Sequence, residues 1–233
     1  MGVVLAIDTG GELSSVALLR EGQVLGQAQL GEPRAQSSRL LPCIERLLAQ
    51  ASVAHAGVQA IAVAIGPGAF TGIRLGLSVA QGLALAWQVP LRPVSSLAGL
   101  AWPGRDGGLP VLAVLDARMG EIYAGWYGAD AMGGIVLQGR ERLCRPEEVD
   151  PATARRGWRV AGSGWPAHGG ALRARLGEPV EVLGLGSAGA VAIGALAHHL
   201  GADLDRDPGL IEPAYLRDKV ALTTAERAQY PPA

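Results

Sequence analysis

The sequence predicts an α/β protein of two lobes, each a mixed sheet with helices packed on it. Short apolar runs typical of buried strands alternate with longer helical patterns. The order strand, strand, strand, helix, strand, helix opens the chain and returns loosely in its second half. A polar, glycine-rich break at residues 103–108 separates the halves. We therefore expect an N-terminal lobe over residues 1–103 and a smaller C-terminal lobe over residues 104–233.

The first lobe follows from the spacing of its apolar residues. Residues 3–7 form a continuous apolar run, and a turn at Glu21 and Gly22 joins two further runs into a hairpin. Apolar residues between Leu40 and Ala51 recur at the spacing of an amphipathic helix. A short strand and a short helix end the lobe, near residues 90–101. The other expected elements are strands 14–20, 23–30 and 60–65, and a second long helix at about 71–87, and Ser37 or Ser38 is the expected cap of the first helix.

The second lobe is signalled less sharply. Prolines punctuate the chain from residue 205 onward, and residues 221–233 are expected to form a loose tail. The expected elements are strands 111–115, 122–127, 135–143, 160–162 and 180–183, and helices 167–176 and 187–200.

Composition excludes several classes of protein. Almost half of the residues are apolar, which argues for a packed core and against disorder. The formal net charge of −1 gives no field that would hold nucleic acid, so contact with RNA would need a partner or a local patch. Cys43 and Cys144 form neither a disulfide framework nor a metal motif. Without a secretory leader or a membrane-spanning apolar run, we expect a cytoplasmic protein with no membrane contact.

The most informative segment is residues 66–76, where a glycine-rich turn joins a strand to a long helix. Glycines at such a turn let a backbone or an anion approach closely, and the free N–H groups of a helix start favour phosphate. A P-loop is excluded because the segment has no lysine. The turn is therefore a candidate phosphate cradle.

The helix after this turn carries a stripe of small residues beside a ridge of larger ones. A small stripe lets a second helix approach closely, so it favours a contact with a partner. Packing against the protein's own sheet explains the same spacing equally well. The stripe consists of Gly72, Gly76, Ala80 and Ala84, and the ridge consists of Leu75, Val79 and Leu83.

Two related lobes with a cleft between them resemble actin, Hsp70 and the sugar kinases, which share a ribonuclease H-like lobe. In that superfamily one loop in each lobe meets nucleotide phosphates. Residues 8–10 and 116–118 occupy these places, although an Asp followed by two glycines also makes a tight hairpin. The second loop lacks the usual glycine, so we expect this chain alone to bind nucleotide poorly, with ATP and magnesium only at the level of a complex. The candidate nucleotide contacts are Asp8, Thr9, Gly10, Asp116 and Arg118.

Five segments, in order along nearly the whole chain, resemble the TsaB family, formerly called YeaZ. Members of that family are actin-like (ASKHA) proteins that act in bacterial tRNA threonylcarbamoyladenosine (t6A) synthesis. The segment 66–74 is the most specific of the five, whereas residues 140–201 match poorly. The five segments are residues 5–9, 38–42, 66–74, 116–123 and 213–217.

The resemblance implies a non-catalytic scaffold subunit with no catalytic residue of its own. In the implied machinery a threonylcarbamoyl group is moved to the adenosine beside the tRNA anticodon, and the paralogue TsaD is the catalyst. TsaD-like proteins hold a metal with two histidines, and the matching positions here are Ser96 and Leu100. Neither is a useful metal ligand, so no metal site is expected.

The resemblance also implies partners. These are a TsaD-like paralogue in a heterodimer, a TsaE-like ATPase, a second copy in a homodimer when the chain is alone, and tRNA only indirectly. In the family the two long helices of the first lobe form the shared interface. The implied interface residues are Leu40, Ile44, Thr71, Gly72, Arg74, Leu75, Gly76, Val79, Ala80 and Leu83.

Two other functions stay open. A free-standing actin-fold ATPase or small-molecule kinase would use Asp8 and Asp116 around magnesium. A glycopeptidase-like metallopeptidase is less favoured, because the four histidines make no metal motif and no Gly-x-Ser-x-Gly elbow is present. ATP turnover without a partner would favour the first alternative, and bound metal the second.

Overall fold

The computed structural model describes residues 2–31 and 36–217, so the predicted tail at 221–233 lies outside the described residues. In the first lobe the expected strands and helices are present, and most ends agree within two residues. The expected cap at Ser37 or Ser38 is wrong, because α1 begins at Gln36 and both serines lie inside it. They are β1 (Val3–Asp8), β2 (Ser15–Arg20), β3 (Gln23–Gln29), α1 (Gln36–Gln50), β4 (Val58–Gly66), α2 (Phe70–Trp87), β5 (Leu91–Ser95) and α3 (Ser96–Ala101).

The first sheet has the strand order β3-β2-β1-β4-β5. β1 lies in the middle, antiparallel to β2 with Ala6 opposite Ala17, and parallel to β4 with Ala6 opposite Ala62. Helices cover both faces of this sheet, which explains why β1 is buried along its whole length. Leu5 and Ile7 belong to the core under α1 and α2, whereas Ala6 belongs to a second core on the other face.

The second sheet repeats this pairing pattern. Its order is β11-β10-β6-β7-β8, with β6 antiparallel to β7 and parallel to β10. The predicted strand at 135–143 is two short strands, both paired with β7. Where the first lobe has α1, the second has the 3-10 helices Pro146–Glu148 and Thr153–Arg156. The elements are β6 (Val111–Arg118), β7 (Glu121–Ala129), β8 (Ile135–Leu137), β9 (Arg142–Cys144), β10 (Arg159–Ala161), α4 (Gly164–Leu176), β11 (Glu181–Gly184) and α5 (Gly189–Leu200).

Two helices cross between the lobes. α3, from the first half of the chain, packs on β6 and β7, and α5, from the second half, packs on β1, β2 and β4. A Cβ at Gly194 of α5 would overlap Leu19 and lie 2.9 Å from the Cβ of Ala6, so small residues allow this close packing. The two sheets therefore share one apolar layer. A boundary at residue 103 falls inside the 3-10 helix Trp102–Gly107.

Residues 205–217 run back over both lobes, and we call this segment the C-terminal strap. Asp205 pairs with Arg92 at 2.5 Å at the outer edge of the first sheet. Further along, the backbone N–H of Ala214 donates to the carbonyl of Ile65 at 2.8 Å. Arg217 then reaches the second lobe, where it donates to the carbonyl of Ala117 at 3.0 Å. Within the described ranges, no helix is both long and apolar enough to span a bilayer.

Candidate functional site

A cleft of about 730 Å³ lies between the two lobes. The loops that follow β1, β4 and β6 line it, at the ends where these strands stop. Ligands of open α/β sheets bind outside such carboxyl ends. The structure brings all five predicted nucleotide contacts to this one cleft, namely Asp8, Thr9, Gly10, Asp116 and Arg118.

The buried Asp8 carboxylate uses both of its oxygen atoms inside the chain. Oδ1 accepts from the N–H of Gly10 at 3.0 Å, and Oδ2 accepts from the N–H of Gly189 at 2.9 Å. Burial raises the pKa of Asp8, and these two hydrogen bonds offset only part of that rise. The Oγ of Ser15 accepts the next N–H, that of Ala190, at 2.9 Å. Asp8 and Ser15 thus satisfy two of the free N–H groups at the start of α5 and hold it on the first lobe.

The glycine-rich turn packs directly on the loop that contains Asp8. Thr9 Oγ1 donates to the carbonyl of Gly72 at 2.7 Å, and the N–H of Ala69 donates to the carbonyl of Gly10 at 2.8 Å. A Cβ at Gly72 would overlap the carbonyl oxygen of Thr9, and one at Gly76 would overlap Thr9 Oγ1. Internal packing therefore accounts for the glycines that predicted a phosphate cradle.

Asp116 in the second loop is held by two neighbours. Its Oδ1 lies 3.1 Å from Nε2 of His168 and accepts the N–H of Arg118 at 2.9 Å, while its Oδ2 lies 3.1 Å from the Arg118 guanidinium. Burial raises the pKa of Asp116, but the hydrogen bonds from His168 and Arg118 and their charges outweigh it, so the pKa lies below its usual value. Sequence reasoning missed His168, because it stands on α4 and no local spacing links it to Asp116.

The cleft carboxylates that could face a magnesium–nucleotide complex are engaged inside the chain. Magnesium is usually held by one or two carboxylates, and the oxygens of Asp8 and Asp116 already have partners here. Among the described residues no group of three or more His, Cys, Asp or Glu side chains is placed to hold a metal. Ser96 lines the cleft with a buried hydroxyl that finds no partner in the described part of the chain, and Leu100 lies in the shared apolar layer.

The structure places half of the predicted interface residues in the interior. Leu40 and Ile44 are fully buried, because the apolar stripe of α1 is the face that it packs on the first sheet. The small stripe of α2 is also turned inward, so these residues are not open to a partner in this structure. The exposed or partly exposed members are Thr71, Arg74, Leu75, Val79 and Leu83, and the buried ones are Leu40, Ile44, Gly72, Gly76 and Ala80.

Several large apolar side chains lie exposed near this outer face of the first lobe and near the cleft. On the described parts of the two long helices, the exposed ones are Leu41 of α1 and Phe70 and Leu85 of α2. Phe70, Met119 and Tyr215 come from three separate segments and are exposed beside one another around a small groove. Their separation in the chain hides this grouping from a reading of the sequence.

Comparisons with known proteins agree with this architecture. Residues 32–138 match the family model of TsaD, tRNA N6-adenosine threonylcarbamoyltransferase. The tRNA threonylcarbamoyladenosine biosynthesis protein TsaB of Escherichia coli K12 is 38% identical over 169 residues, which span 70% of this chain and 72% of that protein. The chain belongs to the TsaB family. The TsaB protein of Haemophilus influenzae is 35% identical over 175 residues, 71% of this chain and 73% of that protein.

A solved structure confirms the predicted fold. YeaZ from Pseudomonas aeruginosa superposes with a TM-score of 0.82 at 38% identity, over 93% of this chain and 100% of that one. The predicted resemblance to TsaB, the two-lobed α/β fold and the link to t6A synthesis are thus confirmed.

Proposed function

We propose that this TsaB-family chain acts in the cytoplasm as a non-catalytic subunit that pairs with and supports a TsaD-type paralogue in t6A synthesis. The observation that carries the proposal is the state of the cleft, where Asp8 and Asp116 are both bound by groups of the chain itself. An ATPase or kinase working alone would need these carboxylates for magnesium. Family membership and the match of residues 32–138 to the TsaD model support the pairing.

The outer face of α2 is the proposed contact surface. Thr71 and Arg74 are exposed there, and the ridge of Leu75, Val79 and Leu83 is partly exposed. Apolar side chains flanked by polar ones are typical of the centre of a protein interface. We propose that the same face forms a homodimer when the chain is alone, that a TsaE-like ATPase joins the complex, and that tRNA meets this subunit only indirectly.

Two matched glycine substitutions test the pairing. Gly82 on the outer face of α2 and Gly170 on α4 are both exposed helical glycines, and a Cβ at either meets open space. Arginine suits a helix better than glycine, so neither Gly82→Arg nor Gly170→Arg is expected to lower stability. We expect gel filtration and interferometry with the TsaD paralogue of the same organism to show at least tenfold weaker pairing for Gly82→Arg.

The control Gly170→Arg is expected to pair within twofold of the wild-type chain. Equal pairing by Gly82→Arg would overturn the placement of the interface on this face of α2. Failure of the wild-type chain to pair with the paralogue at all would overturn the proposed function itself.

A further inference from the structure

A groove of about 290 Å³ opens beside the cleft where three parts of the fold meet. The start of α2 supplies Phe70, the tip of the β6–β7 hairpin supplies Met119, and the C-terminal strap supplies Tyr215. Because these parts belong to both lobes and to the strap, the fold as a whole shapes the groove. We call it the Phe70 groove.

The rim of the Phe70 groove exposes more apolar surface than a single surface residue would. Phe70 is 47% exposed, Tyr215 is 50% exposed and Met119 is 64% exposed. Contiguous apolar side chains of this size on a folded protein mark interaction surfaces. Phenylalanine, tyrosine, methionine and arginine are also the side chains enriched in the cores of protein interfaces.

Arg74 is fixed at the same rim. Its guanidinium carbon lies 3.6 Å from the centre of the Phe70 ring, and its Nε donates to the hydroxyl of Tyr215 at 2.9 Å. The stacking and the hydrogen bond fix the Arg74 side chain before any partner binds. Binding therefore costs this side chain little rotamer freedom, so the cation is preorganised.

Arg74 also differs from the other arginines around the groove in its charge partners. Arg118 pairs with Asp116 at 3.1 Å, and Arg217 pairs with Glu121 at 2.8 Å. Arg74 has no carboxylate within ion-pair distance among the described residues. Most of its N–H donors are therefore available to a group of a binding partner. The groove therefore complements an apolar side chain that has a carboxylate next to it.

We propose that the Phe70 groove receives an apolar side chain flanked by an Asp or Glu of the TsaD-type partner subunit. The inference rests on the proposed pairing and extends it to a second contact point. Arg74 and Phe70 stand on α2, the helix whose outer ridge is the proposed interface, so one partner reaches both surfaces. A strand of RNA suits the groove less well, because Arg217 in its lining and the nearby Arg118 are already paired with carboxylates.

Charge substitutions with matched controls test the groove by interferometry against the purified paralogue. We expect Met119→Glu and Arg74→Glu each to weaken pairing at least tenfold, because each sets a carboxylate against the partner's own. The controls are Met132→Glu, at a methionine that is 83% exposed on a turn of the second lobe, and Arg20→Glu, at the opposite end of β2 from the cleft. Both are expected to pair within twofold of wild type, and all four chains should unfold at wild-type denaturant concentrations.

Photo-crosslinking identifies the segment of the partner subunit that enters the Phe70 groove. With p-benzoylphenylalanine at position 119, we expect a crosslinked peptide of the paralogue with Asp or Glu beside an apolar residue. If the wild-type chain pairs with the paralogue and Met119→Glu pairs equally well, the proposed role of the Phe70 groove is overturned while the proposed function stays intact. A defect confined to the homodimer, or confined to binding of a tRNA anticodon stem-loop, would also overturn it.

Discussion

Asp8 stands at the residue where the superfamily resemblance predicts a nucleotide contact, and in this structure its carboxylate is hydrogen-bonded inside the chain. Both oxygens of its carboxylate bind backbone N–H groups, one in its own loop and one at the start of α5. Because α5 comes from the other end of the chain, this one side chain joins β1 to residues 181 positions away. Its raised pKa reflects the cost of keeping that carboxylate buried.

Replacing Asp8 with Ala should destabilise the fold. The change leaves the buried N–H groups of Gly10 and Gly189 without acceptors, and the relief of charge burial offsets only part of that loss. We expect the free energy of unfolding to fall by about 1–3 kcal/mol, measured by urea denaturation. Glu12→Ala, at an exposed carboxylate four residues along the chain, is the control and should change stability little. If Asp8→Ala were as stable as the wild-type chain, the hydrogen bonds of Asp8 would not contribute to stability.

The α2 helix is the element in which sequence pattern and structure differ most usefully. Its small stripe faces inward because the loop of Thr9 approaches within van der Waals reach of the helix backbone. The ridge of Leu75, Val79 and Leu83 lies between the interior and solvent. A helix with small residues every fourth position therefore serves the chain's own packing, and its outer face remains for a partner.

Two Gly→Ala changes in this one helix should have opposite effects. Gly72→Ala is expected to lower the free energy of unfolding by about 1–3 kcal/mol, because the added methyl collides with the backbone of Thr9. Gly82→Ala meets open space and should raise it by about 0.5–1 kcal/mol through helix propensity alone. Thermal and urea melts of the two variants check this. A stabilising Gly72→Ala would contradict the internal role of the stripe.

At the scale of the whole molecule, the two lobes are held together at several points. α3 of the first half packs on the second sheet, and α5 of the second half packs on the first sheet. The C-terminal strap binds both lobes. Ser95 of the first lobe and Tyr127 of the second both donate to the Glu141 carboxylate. These connections hold the two lobes in one arrangement, and the carboxylates of Asp8 and Asp116 are already hydrogen-bonded. Such a molecule is suited to offering a rigid surface to a partner.

The isolated chain should consequently bind nucleotide poorly. We expect titration calorimetry with ATP and magnesium to give a dissociation constant weaker than about 1 mM, which corresponds to a binding free energy of about −4 kcal/mol. Asp8 and Asp116 would have to leave their internal partners before they faced a metal. Micromolar binding by the purified chain would contradict this expectation and revive the ATPase or kinase alternative.

Local patterns carried the prediction of the elements. Strand runs and helical spacing located β1 to β4, α1 and α2, because burial on one or two faces imposes a period on the chain itself. The superfamily resemblance, and not these patterns, predicted that Asp8 and Asp116 face one cleft, and both line it in the structure. The second lobe was less clear, because short strands such as β8 and β9 are too brief to show a period.

The sequence by itself thus determined the fold class, the family and the segments that line the cleft. Only the tertiary structure decided that Leu40, Ile44 and the small stripe are interior. It also decided that Asp8 accepts a hydrogen bond from the start of α5. Spacing along a helix shows which residues share a face, but not what that face meets. The partner of a side chain is set by segments distant in sequence, and the contacts of Gly189 with Asp8 and of Thr9 with Gly72 form only when the chain has folded.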